Sequence, residues 1–463
     1  MEVQRALFAE GTFSYYLDMS TSGSLDYQRS AAASFASISK TEEGRFMMKK
    51  DGINAILRLC SHTDSHVRKN AVFAIANLAA SPENRLHIVI ENGLEIIRFA
   101  SAAASSDVEF LRDTARSLST LAVDITIKEV MVSQEIPRIL SKLAKSADSE
   151  TQRFASLALC NLCVVTQKQK EFIMKQGVLR VLLFLMRYPD LEVERRACLA
   201  VAALSLGSDD NKLVIANNGF VRSLLEVTSY PDIKLRHCAL IALNCLALST
   251  EPNTKHLIVE ENGLSSLLET LKSCKDDESA HACVYLLGSL AEDADILKAI
   301  VEMSFLPLMV QKLEAGSIET KRSVAYMLAL LSEYEECHER LKEANVLRSV
   351  VALTSLVDEE CQYYGAFALS LLAKNKSFQV PLTKMGGVRP LVAIMAKHCQ
   401  ARHWAALALL KLADNFNNHI TIAEEGGIHA LLQLRGEERV GITVANLAKR
   451  AFDDVKQKWK SEV

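Results

Sequence analysis

The feature that most constrains this chain is a unit of about 42 residues that recurs along its length. Each copy starts with a small residue, an aliphatic residue and apolar pairs, as in GVLRVL at residues 177–182. A unit of this size cannot bury its apolar faces alone, so neighbouring copies must stack. The copies start near residues 52, 93, 135, 177, 219, 263, 304, 345, 387 and 427.

The pattern within each copy predicts three helices. The segment after the start is amphipathic and ends at a polar break such as residues 61–64. A longer apolar helix follows, with Val72, Ile75 and Leu78 at helical spacing, and we call it the long helix. A short third segment, such as residues 84–91, leads to the next start. With only 8 prolines and 18 glycines among 463 residues, the chain lacks the turn signals of sandwiches and barrels, and we predict an all-α protein.

Seven of the ten starts have a glycine, which matches the position just past a helix C-terminus, while Glu135, Ser304 and Asn345 replace it at the others. A left-handed backbone is easiest there for Gly and next easiest for Asn. Asn92-Gly93 and Asn262-Gly263 fit this chemistry, and we expect the glycines to be left-handed.

These features together resemble the armadillo repeat family. The resemblance rests on the period, on the Ala76–Ala79 ending ANLA of the long helix and its equivalents at 160–163 and 445–448, and on the polar loop with Asn84. It implies a right-handed α-solenoid of about ten stacked repeats over residues 25–455, whose long helices line a concave groove. HEAT repeats are the alternative, although they have two helices and usually lack the glycine. Residues 1–24 are then a flexible or capping segment, 449–463 include a capping helix bearing Trp459, and 456–463 form the tail.

No pattern of an enzyme stands out. The chain has no phosphate-binding glycine loop, nucleophile elbow or paired-histidine metal helix. Its 11 cysteines lie in apolar helical runs, and the Cys160/Cys163 pair has no second pair at finger spacing. We therefore expect no catalytic residues, no cofactor and no metal.

Charge and hydropathy limit the partners. Lys+Arg at 53 against Asp+Glu at 56 give no basic excess for nucleic acid, and no apolar run approaches membrane-spanning length. We expect protein partners in the groove, no nucleic acid and no membrane insertion. The expected location is cytoplasmic, with cytoskeletal or ciliary association or nuclear shuttling as further options. The composition leaves monomer or homo-oligomer open.

One position near the end of each long helix, called n, gives the register of the groove. Importin-α, an armadillo protein that carries nuclear cargo, typically has Asn at n and Trp four residues earlier in several repeats. Here no Trp stands at n−4 and only three repeats have Asn at n, which disfavours such carriage. Position n is Asn77, Thr120, Asn161, Ala203, Cys245, Ser289, Leu330, Leu371, Lys411 and Asn446.

A basic row stands at n−8. It could recognise an acidic extended peptide, as the resemblance to β-catenin-type proteins implies, or pair with acids such as Glu109, Glu150 and Glu192. The sequence leaves both interpretations open. The row is Lys69, Arg112, Arg153, Arg195, His237, His281 and Arg322, with Arg196 among its neighbours.

An aromatic row stands further along the chain. Tyr285, Tyr326 and Phe367 occupy n−4, while Tyr364 and Trp404 occupy n−7. These rings either anchor a partner in the groove or fill the core between stacked helices.

We predict an interaction scaffold that holds extended, acidic peptides in cytoskeletal, axonemal, adhesion or organelle-tethering assemblies. The alternatives are an importin-α-like transport receptor and an armadillo-type myosin chaperone. The predicted groove residues are Lys69, Phe73, Asn77, Arg112, Arg116, Arg153, Asn161, Arg195, Arg196, Tyr285, Arg322, Tyr326, Tyr364, Phe367 and Trp404.

Overall fold

A computed structural model describes residues 12–103, 107–397 and 399–434. Within these ranges the regular elements are helices and no β-strand is present, which confirms the predicted all-α class. The signature at 445–448, the predicted capping helix and the C-terminal tail lie outside the described residues. The chain divides into two compact units, residues 1–223 and residues 224–463.

Unit 1 is a succession of short and long helices, with a kink at Ala216–Phe220 where Gly219 has φ of 83°. Its helices are α1 (Thr12–Ser20), α2 (Leu25–Ile38), α3 (Glu42–Met47), α4 (Lys49–Cys60), α5 (Ser65–Leu78), α6 (Pro82–Ile90), α7 (Gly93–Ala103), α8 (Val108–Leu121), α9 (Ile125–Ser133), α10 (Ile136–Leu143), α11 (Ser149–Leu162), α12 (Gln167–Lys175), α13 (Val178–Leu185), α14 (Leu191–Ser205) and α15 (Asp209–Ile215).

The division between the units falls within α16 (Val221–Thr228), and unit 2 continues the same alternation. Its helices are α17 (Ile233–Ala247), α18 (Pro252–Glu260), α19 (Gly263–Ser273), α20 (Asp277–Leu290), α21 (Ala294–Glu302), α22 (Phe305–Ala315), α23 (Ile318–Glu333), α24 (His338–Glu343), α25 (Val346–Ser355), α26 (Glu359–Leu372), α27 (Lys376–Lys384), α28 (Val388–Met395), α29 (Ala401–Ala413), α30 (His419–Glu424) and α31 (Gly427–Leu434).

The long helices pack against one another in chain order within each unit. In unit 1 these are α2, α5, α8, α11 and α14, and in unit 2 they are α17, α20, α23, α26 and α29. Contacts join the N-terminal ends of α5 and α8, through Lys69 and Asp107, and their C-terminal halves, through Asn77 and Arg116. These two helices therefore run in the same direction. Such sequential packing is consistent with a solenoid.

Aspartates start most of the long helices. The carboxylate of Asp64 accepts a hydrogen bond from the backbone N–H of Val67 at 3.1 Å, which satisfies one of the free donors of the first turn. Ser317 does the same for α23. The aspartates with this role are Asp64, Asp107, Asp148, Asp190, Asp232, Asp276 and Asp358.

The start glycine is left-handed at Gly177 and Gly219, and the expectation is wrong at the other five starts that have a glycine. At two of those five, Asn92 and Asn262 are the left-handed residues, while Gly93 and Gly263 that follow them are not. A Cβ atom on Gly263 would lie 2.3 Å from the carbonyl oxygen of Ile258, so glycine is needed for close approach of the preceding helix. Gly386 and Gly426 are the left-handed residues before Gly387 and Gly427, and at Gly177 the start glycine itself has φ of 80°.

Candidate functional site

The basic row lies at the N-terminal ends of the long helices, where several of its cations meet the first turn of the next long helix. Four of the predicted residues contact the aspartate that caps that helix. The ion pairs are Lys69–Asp107 at 3.3 Å, Arg112–Asp148 at 2.8 Å, Arg153–Asp190 at 2.7 Å and Arg322–Asp358 at 2.7 Å, and Arg29–Asp64 at 2.6 Å extends the row.

Glutamates complete this pairing. Lys69 also contacts Glu109 at 3.2 Å, and Arg112 contacts Glu150 at 3.1 Å. The hydrogen bond from Arg112 is the main cause that lowers the pKa of Asp148 to about 2. Of the two interpretations of the basic row, these contacts favour pairing with nearby acids.

Two further predicted cations are held within unit 1. Arg195 pairs with Glu192 on its own helix at 3.1 Å. A guanidinium nitrogen of Arg196 donates to the backbone carbonyl of Arg153 at 2.5 Å. Their side chains are therefore engaged by the protein itself, as are those of Lys69, Arg112, Arg153 and Arg322.

The capping aspartates were missed at the sequence level, although their spacing carried a signal. In seven repeats the aspartate stands thirteen residues before n, as Asp148 does before Asn161. At Lys69, Arg112, Arg153 and Arg322 the cation at n−8 of one repeat meets the aspartate at n−13 of the next.

The aromatic row is buried inside unit 2. Tyr326 is fully buried, and Tyr285, Tyr364, Phe367 and Trp404 are nearly so. The rings of Tyr326 and Tyr364 meet edge to face with centroids 5.5 Å apart, and those of Phe367 and Trp404 lie 4.5 Å apart. Burial favours the core interpretation for these rings, because a ring packed on all sides offers no face to a partner.

A buried polar network holds the centre of this aromatic row. The hydroxyl of Tyr326 donates to one carboxylate oxygen of Glu292 at 3.2 Å, and the other oxygen pairs with Lys255 at 2.9 Å. Burial is the main cause that raises the pKa of Tyr326 well above its usual value. The network fixes the rings in place.

The n−4 and n positions of unit 1 differ from the buried aromatic row of unit 2, because all of them are at least partly exposed to solvent. We call them the long-helix surface of unit 1. It comprises Phe73, Asn77, Arg116, Thr120, Leu157, Asn161, Leu199 and Ala203.

The same positions in unit 2 are mostly closed. Ile241 and Lys411 are partly exposed, whereas the other described n−4 and n residues of unit 2 are buried. The buried ones are Cys245, Tyr285, Ser289, Tyr326, Leu330, Phe367, Leu371 and Leu407.

At the N-terminal end of the long-helix surface of unit 1, the polar side chains bond to other residues of the protein. Arg116 donates to the Asn77 side-chain oxygen at 3.1 Å, and its guanidinium lies 5.1 Å from the centre of the Phe73 ring. The Asn77 amide nitrogen in turn donates to Ser39 at 3.0 Å. Asp113 pairs with Arg116 at 2.9 Å. The pKa of Asp113 is nevertheless raised, because burial of the carboxylate outweighs the opposite effect of the nearby arginine.

Towards the C-terminal end of this surface, Asn161 makes no such side-chain bond to another described residue. Within the described residues the side-chain amide of Asn161 has no hydrogen-bond partner. Leu157, one turn earlier on the same helix, is partly exposed, and Leu199 on the next long helix is 37% exposed. Val164, just past the same helix, is also exposed. An unpaired amide can form hydrogen bonds with the backbone of a peptide, and exposed aliphatic side chains of the same surface can cover the apolar side chains of that peptide.

The described residues show neither a metal-binding cluster nor a membrane-spanning helix. Among the described residues, no group of three or more His, Cys, Asp or Glu side chains is placed to hold a metal ion. No helix in those same ranges has the length and hydropathy to cross a bilayer.

The fold and this surface define the class as an all-helical repeat protein with features of an interaction scaffold. No family model matches the chain. A stretch of 76 residues is 37% identical to Vacuolar protein 8 of Schizosaccharomyces pombe, an armadillo-repeat protein, and covers 16% of this chain and 14% of that protein. The crystal structure of an engineered protein is similar with a TM-score of 0.77 and 26% identity, over 87% of this chain and 98% of the other.

Proposed function

We propose that the chain is a non-enzymatic protein-interaction scaffold of armadillo type, and that the long-helix surface of unit 1 binds an extended segment of a protein partner. The observation that carries this proposal is the contrast in exposure at equivalent positions. In unit 1 the n−4 and n side chains are open, whereas most of those in unit 2 are closed.

The contact chemistry centres on Asn161. Its amide can donate to one backbone carbonyl of the ligand and accept from an N–H, which tolerates many ligand sequences. Leu157 and Leu199 cover apolar ligand side chains on either side. An extended chain advances about 3.3 Å per residue, so adjacent long helices, about 10 Å apart, contact ligand residues about three positions apart.

The acidic character that the sequence suggested for the ligand has less support. The cations at 69, 112, 153 and 195 are bonded within the protein, so a ligand carboxylate must compete with capping aspartates or glutamates. We propose that amide and apolar contacts supply most of the affinity. Net charge then affects the rate of encounter more than the strength of binding.

The finer architecture belongs to the same proposal. A right-handed solenoid of about ten armadillo repeats is what the resemblance implies, and the armadillo-like similarity fits a scaffold. The adaptor role in a cytoskeletal, axonemal, adhesion or organelle-tethering assembly remains a prediction.

The test is selection of peptides on the full chain from a random displayed library, followed by affinity measurements with two variants. Asn161→Ala removes the free amide, and Leu199→Asp places a charge among the apolar contacts. We expect each to weaken binding about tenfold or more while the melting temperature stays within a few degrees. Both side chains are at the surface, so folding should survive.

The matched control is Val357→Asp, which makes the same kind of change at a residue of unit 2 that is 93% exposed. Its affinity should equal that of the unchanged chain. Selected peptides that bind Asn161→Ala and Leu199→Asp at full affinity would refute the proposed surface.

A further inference from the structure

A cavity lies in unit 1, away from the residues of the long-helix surface. This cavity, of about 690 Å³, opens between α7 and α10, beside the start of α8. Its floor is apolar and includes Phe99, Val108 and Ile139. Phe99 is 59% exposed and Val108 48% exposed, so a large apolar surface faces solvent at this point.

The cavity and the long-helix surface use different faces of α8. Leu111 lines the cavity, whereas Arg116 and Thr120 belong to the long-helix surface. At 3.6 residues per turn, these two residues point about 140° and 180° away from Leu111. A ligand in the cavity therefore does not occupy the surface proposed above.

The rim of the cavity is basic. Arg98, Arg138 and Lys142 surround it. Among the described residues, the ion pairs of Arg98 and Arg138 are with glutamates of their own helix ends, at 3.6 Å and 3.8 Å between exposed side chains, and such pairs are weak. No ion pair of Lys142 is present within the described residues.

The acids of the cavity do not cancel this charge. Asp148 also lines it, but its carboxylate is engaged by Arg112 at 2.8 Å and by the first turn of α11. Glu135 is the remaining acid among the lining residues. An incoming carboxylate therefore finds guanidinium and ammonium groups that only weak, solvent-exposed pairs engage.

The Arg98 guanidinium lies 4.5 Å from the centre of the Phe99 ring, so the cation and the apolar floor are directly adjacent. A ligand must then combine both kinds of group within a short length. The cavity volume falls within the range of about 300–1,000 Å³ that binding pockets show.

We propose that this cavity is a second docking site, which takes a short peptide segment of a protein partner with a large apolar side chain flanked by carboxylates. The apolar side chain covers Phe99 and Ile139, and the carboxylates pair with Arg138 and Lys142. The concave shape favours a peptide side chain over an anionic membrane, because insertion into a bilayer needs apolar groups that protrude.

The test uses a fluorescein-labelled synthetic peptide, in which a central Leu-Phe pair is flanked on each side by three Glu residues, and the full chain. Fluorescence polarisation should show saturable binding that weakens at high salt. We expect Arg138→Glu/Lys142→Glu and, separately, Phe99→Ala to weaken it about tenfold or more. A peptide with Ser in place of Leu-Phe should bind correspondingly less.

Two variants serve as matched controls. Arg180→Glu reverses the charge at the position of the next repeat that corresponds to Arg138, and Phe172→Ala truncates another exposed ring of unit 1. Both should bind the peptide at full affinity. Circular dichroism on all variants checks that the helices are intact.

Several results would overturn this docking site. They are no binding, equal binding by Phe99→Ala or by the double charge reversal, and binding to anionic phosphatidylserine vesicles but not to the peptide. Loss of binding in Leu199→Asp would place this peptide on the long-helix surface instead. Because Leu199→Asp affects only that surface, failure of the docking site and failure of the proposed function are distinguishable.

Discussion

Tyr326→Ala tests whether the aromatic row of unit 2 is core or binding site. The side chain is fully buried on α23, packs edge to face on Tyr364 and donates to Glu292. Truncation leaves a cavity and removes a hydrogen bond to a buried carboxylate. If the row is core, the whole effect falls on stability.

The expected loss of stability follows from these contacts. Replacing a fully buried aromatic ring by Ala costs about 3–5 kcal/mol, which lowers the melting temperature of a unit of this size by roughly 10 °C. Tyr326→Phe keeps the ring and loses only the hydrogen bond of the hydroxyl group, so we expect the free energy of unfolding to fall by about 1.5 kcal/mol. The order of the two variants separates packing from hydrogen bonding.

The assay pairs thermal unfolding, followed by circular dichroism, with the affinity for a peptide selected on the full chain. Tyr326→Ala should melt lower and, below its transition, bind as tightly as the unchanged chain. An unchanged melting temperature together with a large loss of affinity would refute the core assignment and return these rings to the binding site.

Three further predictions concern local features. Gly263→Ala should destabilise the chain by about 1–3 kcal/mol in urea unfolding, because its Cβ would meet the carbonyl of Ile258 at 2.3 Å, and an unchanged midpoint would contradict this. A double-mutant cycle with Arg112→Ala and Asp148→Ala should give a coupling of about 0.5–1 kcal/mol at pH 7. The pKa of Asp148 is 3.8 in the unfolded chain and about 2 in the folded chain, so the coupling energy should fade as pH falls from 3.8 toward 2 and the carboxylate becomes protonated. A coupling energy that does not change with pH would count against the ion pair. Burial raises the pKa of Glu194 from 4.5 to about 7, so the chain should lose stability as pH rises between these values. Glu194→Gln should remove that loss, and identical pH profiles of unfolding would show the burial argument to be wrong.

The helical repeat was predictable because it depends on periodic, local signals. Apolar spacing, the scarcity of proline and glycine and the recurring starts all point to stacked helices. Helices begin at Gly93, Val178, Gly263 and Gly427, at or one residue after the predicted starts.

Burial at the n−4 positions was not predictable in the same way. Phe73 and Phe367 are the same residue type at the same position of two repeats, yet Phe73 is partly exposed and Phe367 is buried against Trp404. The next long helix places Arg116 over the Phe73 ring and Trp404 against the Phe367 ring, and this contact is a property of tertiary packing. A single repeat carries no signal for it.

The pairing of the basic row was partly predictable from the sequence. Each cation was visible in the sequence, and nearby glutamates were considered, but the main partner of Arg153 is Asp190 of the next repeat. That contact spans 37 residues and becomes evident once the aspartates at n−13 are aligned across repeats.

Photo-crosslinking from the long-helix surface tests the central proposal most directly. A benzophenone amino acid would replace Leu157, Leu199 or, as the exposed control in unit 2, Val357, and crosslinked peptides would be identified by mass spectrometry from native cells. The account predicts that positions 157 and 199 crosslink to one segment of the same partner, at residues about three apart, and that position 357 does not. Equal crosslinking of that segment from position 357, or none from 157 and 199, would contradict the account.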